Sequence, residues 1–88
     1  MYMINLIYKL NKNLQSRFAA HLVFKLNDLS TAIFLQKKDE ERKINGKSLV
    51  GVLSGNFLEG DTIRIIIDNP SKINEIKQIF NDYGVEII

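Results

Sequence analysis

Cysteine is absent from this 88-residue chain, histidine and proline occur once each, and no long apolar run is present. Without cysteine there is no disulfide framework, no thiol nucleophile and no thiolate metal site, a usage that fits the reducing cytoplasm. The one histidine, His21, has no second ligand at useful spacing, so neither a metal nor any other cofactor is expected. Residues 1–10 are apolar but are broken by Asn5 and Lys9 and lack a basic leader. They fall far short of a spanning helix, so no export or membrane segment is expected. An excess of one charge is missing too: 12 basic and 10 acidic residues leave +2, spread along the chain. No basic tract points to nucleic acid.

What is present suits one globular domain, residues 1–88. The hydrophobic fraction of 45% and charged fraction of 25% are ordinary and exclude wholesale disorder. A domain of this size buries about 60 to 65% of its unfolded surface, so its stability margin is modest.

Hydrophobic spacing then divides the chain. Residues 3–10 alternate, with Ile4, Leu6, Tyr8 and Leu10 on one face and Asn5 and Lys9 on the other, as in a half-buried strand. From Ser16 to about Asn27, the apolar residues Ala19, Leu22, Val23 and Leu26 recur at helical spacing. Residues 31–37 read as a second strand and 42–45 as a short third, joined across the charged turn Lys38-Asp39-Glu40-Glu41. Ser48 opens a short helix containing Leu49, Val50, Val52 and Leu53 that ends near Ser54-Gly55. The fourth strand, 62–68, puts Ile63, Ile65 and Ile67 on one face, and Ile66 on the other face suggests a central place in the sheet. The last helix has Asn69 as N-cap, Pro70 at its first position, Ile73, Ile76, Phe80 and Tyr83 at helical spacing, and Gly84 as its stop. The order strand-helix-strand-strand-helix-strand-helix predicts an α+β fold, a four-stranded antiparallel sheet with three helices on one face.

Two segments carry a family resemblance that extends from about residue 4 to residue 83. Asn13-Leu14-Gln15-Ser16-Arg17-Phe18-Ala19-Ala20 resembles the Gly-x-His-Ala-Arg-Pro-Ala signature of the HPr phosphocarriers of the bacterial sugar phosphotransferase system. Lys43-Ile44-Asn45-Gly46-Lys47-Ser48-Leu49-Val50-Gly51-Val52-Leu53-Ser54 resembles that family's regulatory-serine segment and is the stronger match. The resemblance implies the HPr open-faced sandwich, which agrees with the element order. The spacing between Gln15 and Ser48 is about two residues longer than the family's, which a surface turn between the second and third strands can absorb.

The departures bear on function. Gln15 stands where the family phosphorylates histidine, and a carboxamide is neither nucleophilic nor titratable. Asn13 replaces the glycine, and asparagine tolerates the left-handed geometry expected there. Ser16 replaces the alanine and Phe18 the proline, while Arg17 is kept. Glutamine at this position resembles the catabolite-repression branch often called Crh, which acts when its regulatory serine is phosphorylated, although that branch generally keeps the Ala and Pro. The resemblance therefore implies a cytoplasmic, non-enzymatic regulatory or adaptor protein without phosphocarrier activity at position 15. It also implies phosphorylation of Ser48, with HPr kinase/phosphorylase and a catabolite-control regulator or metabolic enzyme as protein partners. The chain is expected as a monomer or weak homodimer, away from membrane and nucleic acid. A phosphocarrier using another residue, and a binding module outside the phosphotransferase system, are the competing functions.

Each singled-out residue has a plainer reading beside this one. Ser48 is either a helix cap or a regulated serine, which Lys47 and Lys43 nearby would help to accommodate once phosphorylated. Arg17 is either a docking residue or a solvated charge. On a helical projection Phe24 falls beside Ala20 and Arg17, off the core stripe, so it is either covered by a loop or part of an apolar patch. The partner-binding candidates are Arg17, Ala20, Phe24, Lys47, Leu49, Val50 and Leu53. His21 projects away from the core face and more than a turn beyond the helix start, so it is read as a surface residue. Gly46-Lys47-Ser48 ends like a P-loop, but the glycine required five residues earlier is Glu41, and nucleotide binding by that route is excluded.

Overall fold

The computed structural model describes residues 3–87. Met1, Tyr2 and Ile88, which belong to the 1–10 stretch and the expected 1–88 domain, lie outside the described residues. The chain runs β1 (Ile4–Leu10), α1 (Ser16–Asn27), β2 (Ile33–Lys37), β3 (Ile44–Asn45), α2 (Leu49–Ser54), β4 (Thr62–Ile67), a 3-10 turn (Pro70–Lys72), α3 (Ile73–Phe80) and β5 (Gly84–Glu86). The strands form one antiparallel sheet in the order β3-β2-β4-β1-β5. The result is an α+β open-faced sandwich whose inner face is covered by the three helices.

Register follows from the period-two pattern, because a slip of one residue would carry a strand's apolar set to the outer face. Leu6 lies opposite Ile65 and Ile65 opposite Leu35, while Tyr8 lies opposite Ile63. All of these face inward and are buried against Ala19, Leu22 and Leu26 of α1 and Ile76 and Phe80 of α3, within one continuous core. Each such aliphatic side chain contributes about 1.5–3 kcal/mol by leaving water. The expectation from Ile66 holds: β4 is the middle strand, and Ile66 is buried on the outer face between its cross-strand neighbours Asn5 and Phe34.

Five strands replace the expected four. Gly84 does not merely stop α3 but begins β5, which pairs with β1 through Leu10 opposite Gly84 and Tyr8 opposite Glu86. A Cβ at Gly84 would be driven into the Lys9 carbonyl oxygen, so this approach requires glycine. The start of the last helix also differs. Asn69 caps a single 3-10 turn, accepting from the Ser71 amide at 3.1 Å, and the α-helix proper begins at Ile73.

The second and third strands each begin two residues later than expected, and side chains hold the backbone that leads into them. Before β2, the Asp68 carboxylate accepts from the Thr31 hydroxyl at 2.7 Å and the Ala32 amide at 3.1 Å. Before β3, the Gln36 amide donates to the carbonyls of Glu40 and Glu41 at 3.0 and 3.1 Å, and its oxygen accepts from Arg64 at 3.0 Å. The charged turn is thus tied to the sheet by one glutamine.

The Thr31 hydroxyl, with the Ala32 amide, holds the Asp68 carboxyl below the usual carboxylate range. A carboxyl depressed on folding stabilises the fold fully above its unfolded pKa of about 4, and that contribution fades as pH falls through the lower folded value. Replacing Thr31 by Val should raise the Asp68 titration midpoint, read by carboxyl NMR, and flatten the pH dependence of stability below about pH 4.

Candidate functional site

The segment leading into α1 is built by the core beneath it. Leu14 is fully buried, and its amide donates to the Phe57 carbonyl at 2.8 Å. Asn13 accepts from the Glu59 amide at 2.8 Å. These bonds tie the loop before α1 to the loop after α2, so the residues between them project outward. Gln15 takes the N-cap position with extended backbone (φ −136°) and makes no side-chain cap; its amide instead donates to the Asn56 side chain at 3.3 Å.

The left-handed residue of this turn is Ser16 (φ 51°), not Asn13. Asn13 is held in place by its hydrogen bond from the Glu59 amide, and the left-handed residue is the first of α1, where a non-glycine residue costs about 1–3 kcal/mol. The neighbouring Asn56 is also left-handed (φ 53°).

Phe18 is half-buried and gathers charge. The Arg17 guanidinium lies 5.3 Å and the Lys12 ammonium 5.2 Å from its ring centroid. Lys12 also donates to the Asp82 carbonyl at 2.7 Å and lies over the Tyr83 ring, so its head bridges toward the end of α3. A shallow depression of about 360 Å³ is lined by Asn13, Gln15, Ser16, Arg17 and Phe18. No histidine, cysteine or carboxylate lines it. His21 is exposed on α1, as expected, and no group of three potential ligands that could hold a metal occurs among the described residues.

Ser48 caps α2, accepting from the Gly51 amide at 3.0 Å. Lys47 is half-buried, and its ammonium donates to the Leu29 carbonyl while its backbone amide donates to the Asn45 side chain at 2.9 Å. Lys43 is exposed. Of the two lysines expected to help accommodate a phosphate on Ser48, Lys47 is therefore already engaged.

Two contacts orient the helix pair. Gln15, before α1, bonds Asn56, just after α2. Asn27, at the end of α1, donates to the carbonyls of Val23 and Lys47, at the start of α2. The helices therefore run antiparallel, and Gln15 and Ser48 mark opposite ends, separated by roughly the 16–18 Å length of α1. The same contacts orient the face between them. At about 100° per residue, Asn27 and Ala20 point toward α2, Lys25 points the other way to its ion pair with Asp82, and Phe24 lies on the α2 side of the outer surface.

Phe24 is 74% exposed, which settles the alternative of a covering loop. Val50 is 78% exposed, Leu49 and Leu53 are partly exposed, and α2 is anchored beneath them by buried Val52. Arg17 is exposed and Ala20 half-buried on the same side of α1. The structure thus brings Arg17, Ala20, Phe24, Leu49, Val50 and Leu53 to the helical surface, with Lys47 at its margin and largely committed to the fold. Lys12, Asn56 and Phe57 are participants that sequence spacing missed. Asn56 and Phe57 reach the site only through long-range contacts, and Lys12 through its approach to the Phe18 ring, which no spacing pattern marks.

The comparisons with known proteins agree with this geometry. The family model described as "PTS HPr component phosphorylation site" matches residues 5–82. The chain belongs to the HPr family. It is 37% identical over 60 residues to the HPr-like protein Crh of Halalkalibacterium halodurans, covering 68% of this chain and 69% of that protein. The fold superposes on HPr of Bacillus anthracis with a TM-score of 0.83 at 22% identity, over 96% of this chain and 100% of that one. HPr of Thermoanaerobacter tengcongensis gives a TM-score of 0.71 at 23% identity, over 92% and 89%. Within the HPr family the chain is Crh-like.

Because Ser48 satisfies an orphan amide of α2, Ser48→Ala should lower stability by about 1 kcal/mol, whereas Ser48→Asp keeps an acceptor and should lose less. Urea midpoints of the two variants measure the difference.

Proposed function

We propose that this HPr-family protein is a non-enzymatic regulatory or adaptor protein of the cytoplasmic phosphoenolpyruvate-dependent sugar phosphotransferase system. The observation that carries the proposal is the pairing of a disarmed phosphorylation segment with an exposed apolar helical surface. At position 15 a neutral carboxamide is hydrogen-bonded to Asn56, and Phe18 with its two cations occupies the place of the family's proline. The only histidine, His21, is exposed on α1, more than a turn beyond the Gln15 N-cap. Beside that segment, Phe24, Leu49, Val50 and Leu53 remain in water without a structural reason to be there.

In this reading Arg17, Ala20, Phe24, Leu49, Val50 and Leu53 dock a protein partner, a catabolite-control regulator or metabolic enzyme, with Lys47 at the rim. Ser48 is the regulatory site, phosphorylated by HPr kinase/phosphorylase. Its position at the far end of the strip from Gln15 makes the added charge a rim effect. Phosphate there would change partner choice and association rate through electrostatics while the apolar centre supplies affinity. Capping is no obstacle, since a phosphorylated serine still presents acceptor oxygens at the helix start.

Incubation with Enzyme I and phosphoenolpyruvate should add no mass to the protein. Incubation with HPr kinase and ATP should add a single phosphate that is lost in Ser48→Ala. A phosphate from Enzyme I would instead establish a carrier using another residue, and no label from either would place the protein outside the phosphotransferase system. Phe24→Ala and Val50→Ala should shift stability by no more than about 0.5 kcal/mol, since both side chains are exposed. Either should weaken binding to the Ser48-phosphorylated protein's partner by about tenfold in calorimetry.

A further inference from the structure

The outer face of the sheet, opposite the helices, has its own chemistry. Cross-strand register sets it in rows: Gln36, Arg64 and Ile7 lie side by side, and Ile87 adjoins Ile7 by donating its amide to the Ile7 carbonyl at 2.8 Å. In the next row Thr62 lies opposite Lys9 and Lys9 opposite Val85, with Lys38 joined to Thr62 through its backbone amide at 3.0 Å. Between the rows is a concavity of about 280 Å³ lined by Ile7, Lys38, Thr62, Ile63, Arg64 and Ile87. Its mouth is partly apolar, with Ile87 42% and Val85 64% exposed.

The cations here form no ion pair among the described residues, and the nearest carboxylates, Asp39, Glu40 and Asp61, line a separate depression on the far side of Lys38 and Thr62. The ion pairs among the described residues use Lys25, Lys37, Arg42, Lys72 and Lys77, and none uses Lys9, Lys38 or Arg64. Arg64 donates only to the neutral Gln36 amide oxygen, at 3.0 Å. Along these rows there is no carboxylate. An aliphatic floor flanked by a guanidinium, an ammonium and a threonine hydroxyl complements a ligand with an alkyl body and an anionic head. Among the described residues Phe34 is the one aromatic of this face, so they offer no platform for successive stacked bases. The concave shape also suits an inserted small molecule better than a flat membrane surface.

We propose that this groove binds a small aliphatic carboxylate, independently of the helical docking surface. The alkyl chain lies on Ile7 and Ile87, and the carboxylate is received by Arg64, Lys38 and the Thr62 hydroxyl. Being on the opposite face, the site could be filled while a protein occupies α1 and α2.

Titration of the isotope-labelled protein with octanoate, followed by amide NMR, tests this. Saturable shifts are expected at Ile7, Lys38, Thr62, Arg64 and Ile87, with acetate much weaker and octylammonium inactive. Lys38→Glu, at an exposed position, should weaken octanoate by at least about tenfold, while the charge-matched Lys43→Glu should leave it unchanged. Equal response to octylammonium, an unchanged midpoint in Lys38→Glu, or shifts mapping to Phe24 and Val50 would overturn it. So would shifts of the same residues with protein concentration alone, which would mean that a second copy covers the face.

Discussion

Both faces of this protein depend on the burial of β4. Ile63, Ile65 and Ile67 face the helices with essentially no exposure, and Ile66 is closed over on the other side by Asn5 and Phe34. A strand buried on both faces can sit only between two others, and its pairing with β1 and β2 fixes which residues those strands turn inward. The helices then cover the inner face because that is where the isoleucines are. Their outer surfaces, and the outer face of the sheet, are left for other uses.

The segment around Gln15 illustrates how function is set by what lies beneath it. Leu14 is drawn into the core and bonded to Phe57, which leaves Gln15 and Ser16 exposed, Ser16 with left-handed backbone. In a phosphocarrier such a place presents a nucleophile. Here it presents an amide bonded to Asn56 and an aromatic ring beside two cations, with no histidine, cysteine or carboxylate among the groups that line it. Nearby, Phe24 and Val50 give the helical surface an exposed apolar centre.

The antiparallel arrangement of α1 and α2 changes the meaning of Ser48. In sequence the serine segment looks like the second half of one compact site, but Asn27 fastens it to the far end of α1 from Gln15. Lys47, expected as a counter-charge, is occupied by the Leu29 carbonyl. A charge placed on Ser48 would act at the edge of a strip rather than at its centre, which is where electrostatics governs specificity and rate more than affinity.

Periodicity by itself determined the strands, the helices, the inward-facing residues and the central place of β4, since burial imposes a period of two on strands and 3.6 on helices. That position 15 carries a carboxamide and no nucleophile was equally legible, being a matter of which atoms Gln15 possesses. Tertiary structure alone decided the rest. The fifth strand depends on a close approach of Gly84 to Lys9, and the backbone leading into β2 is held by the Asp68 side chain. The left-handed residue is Ser16, while the Asn13 side chain is engaged by the Glu59 amide 46 residues away. The exposure of Phe24, and the outer-face cations that form no ion pair among the described residues, depend on which neighbours the fold does not supply. Such features rest on pairs far apart in sequence, and local spacing carries no record of them.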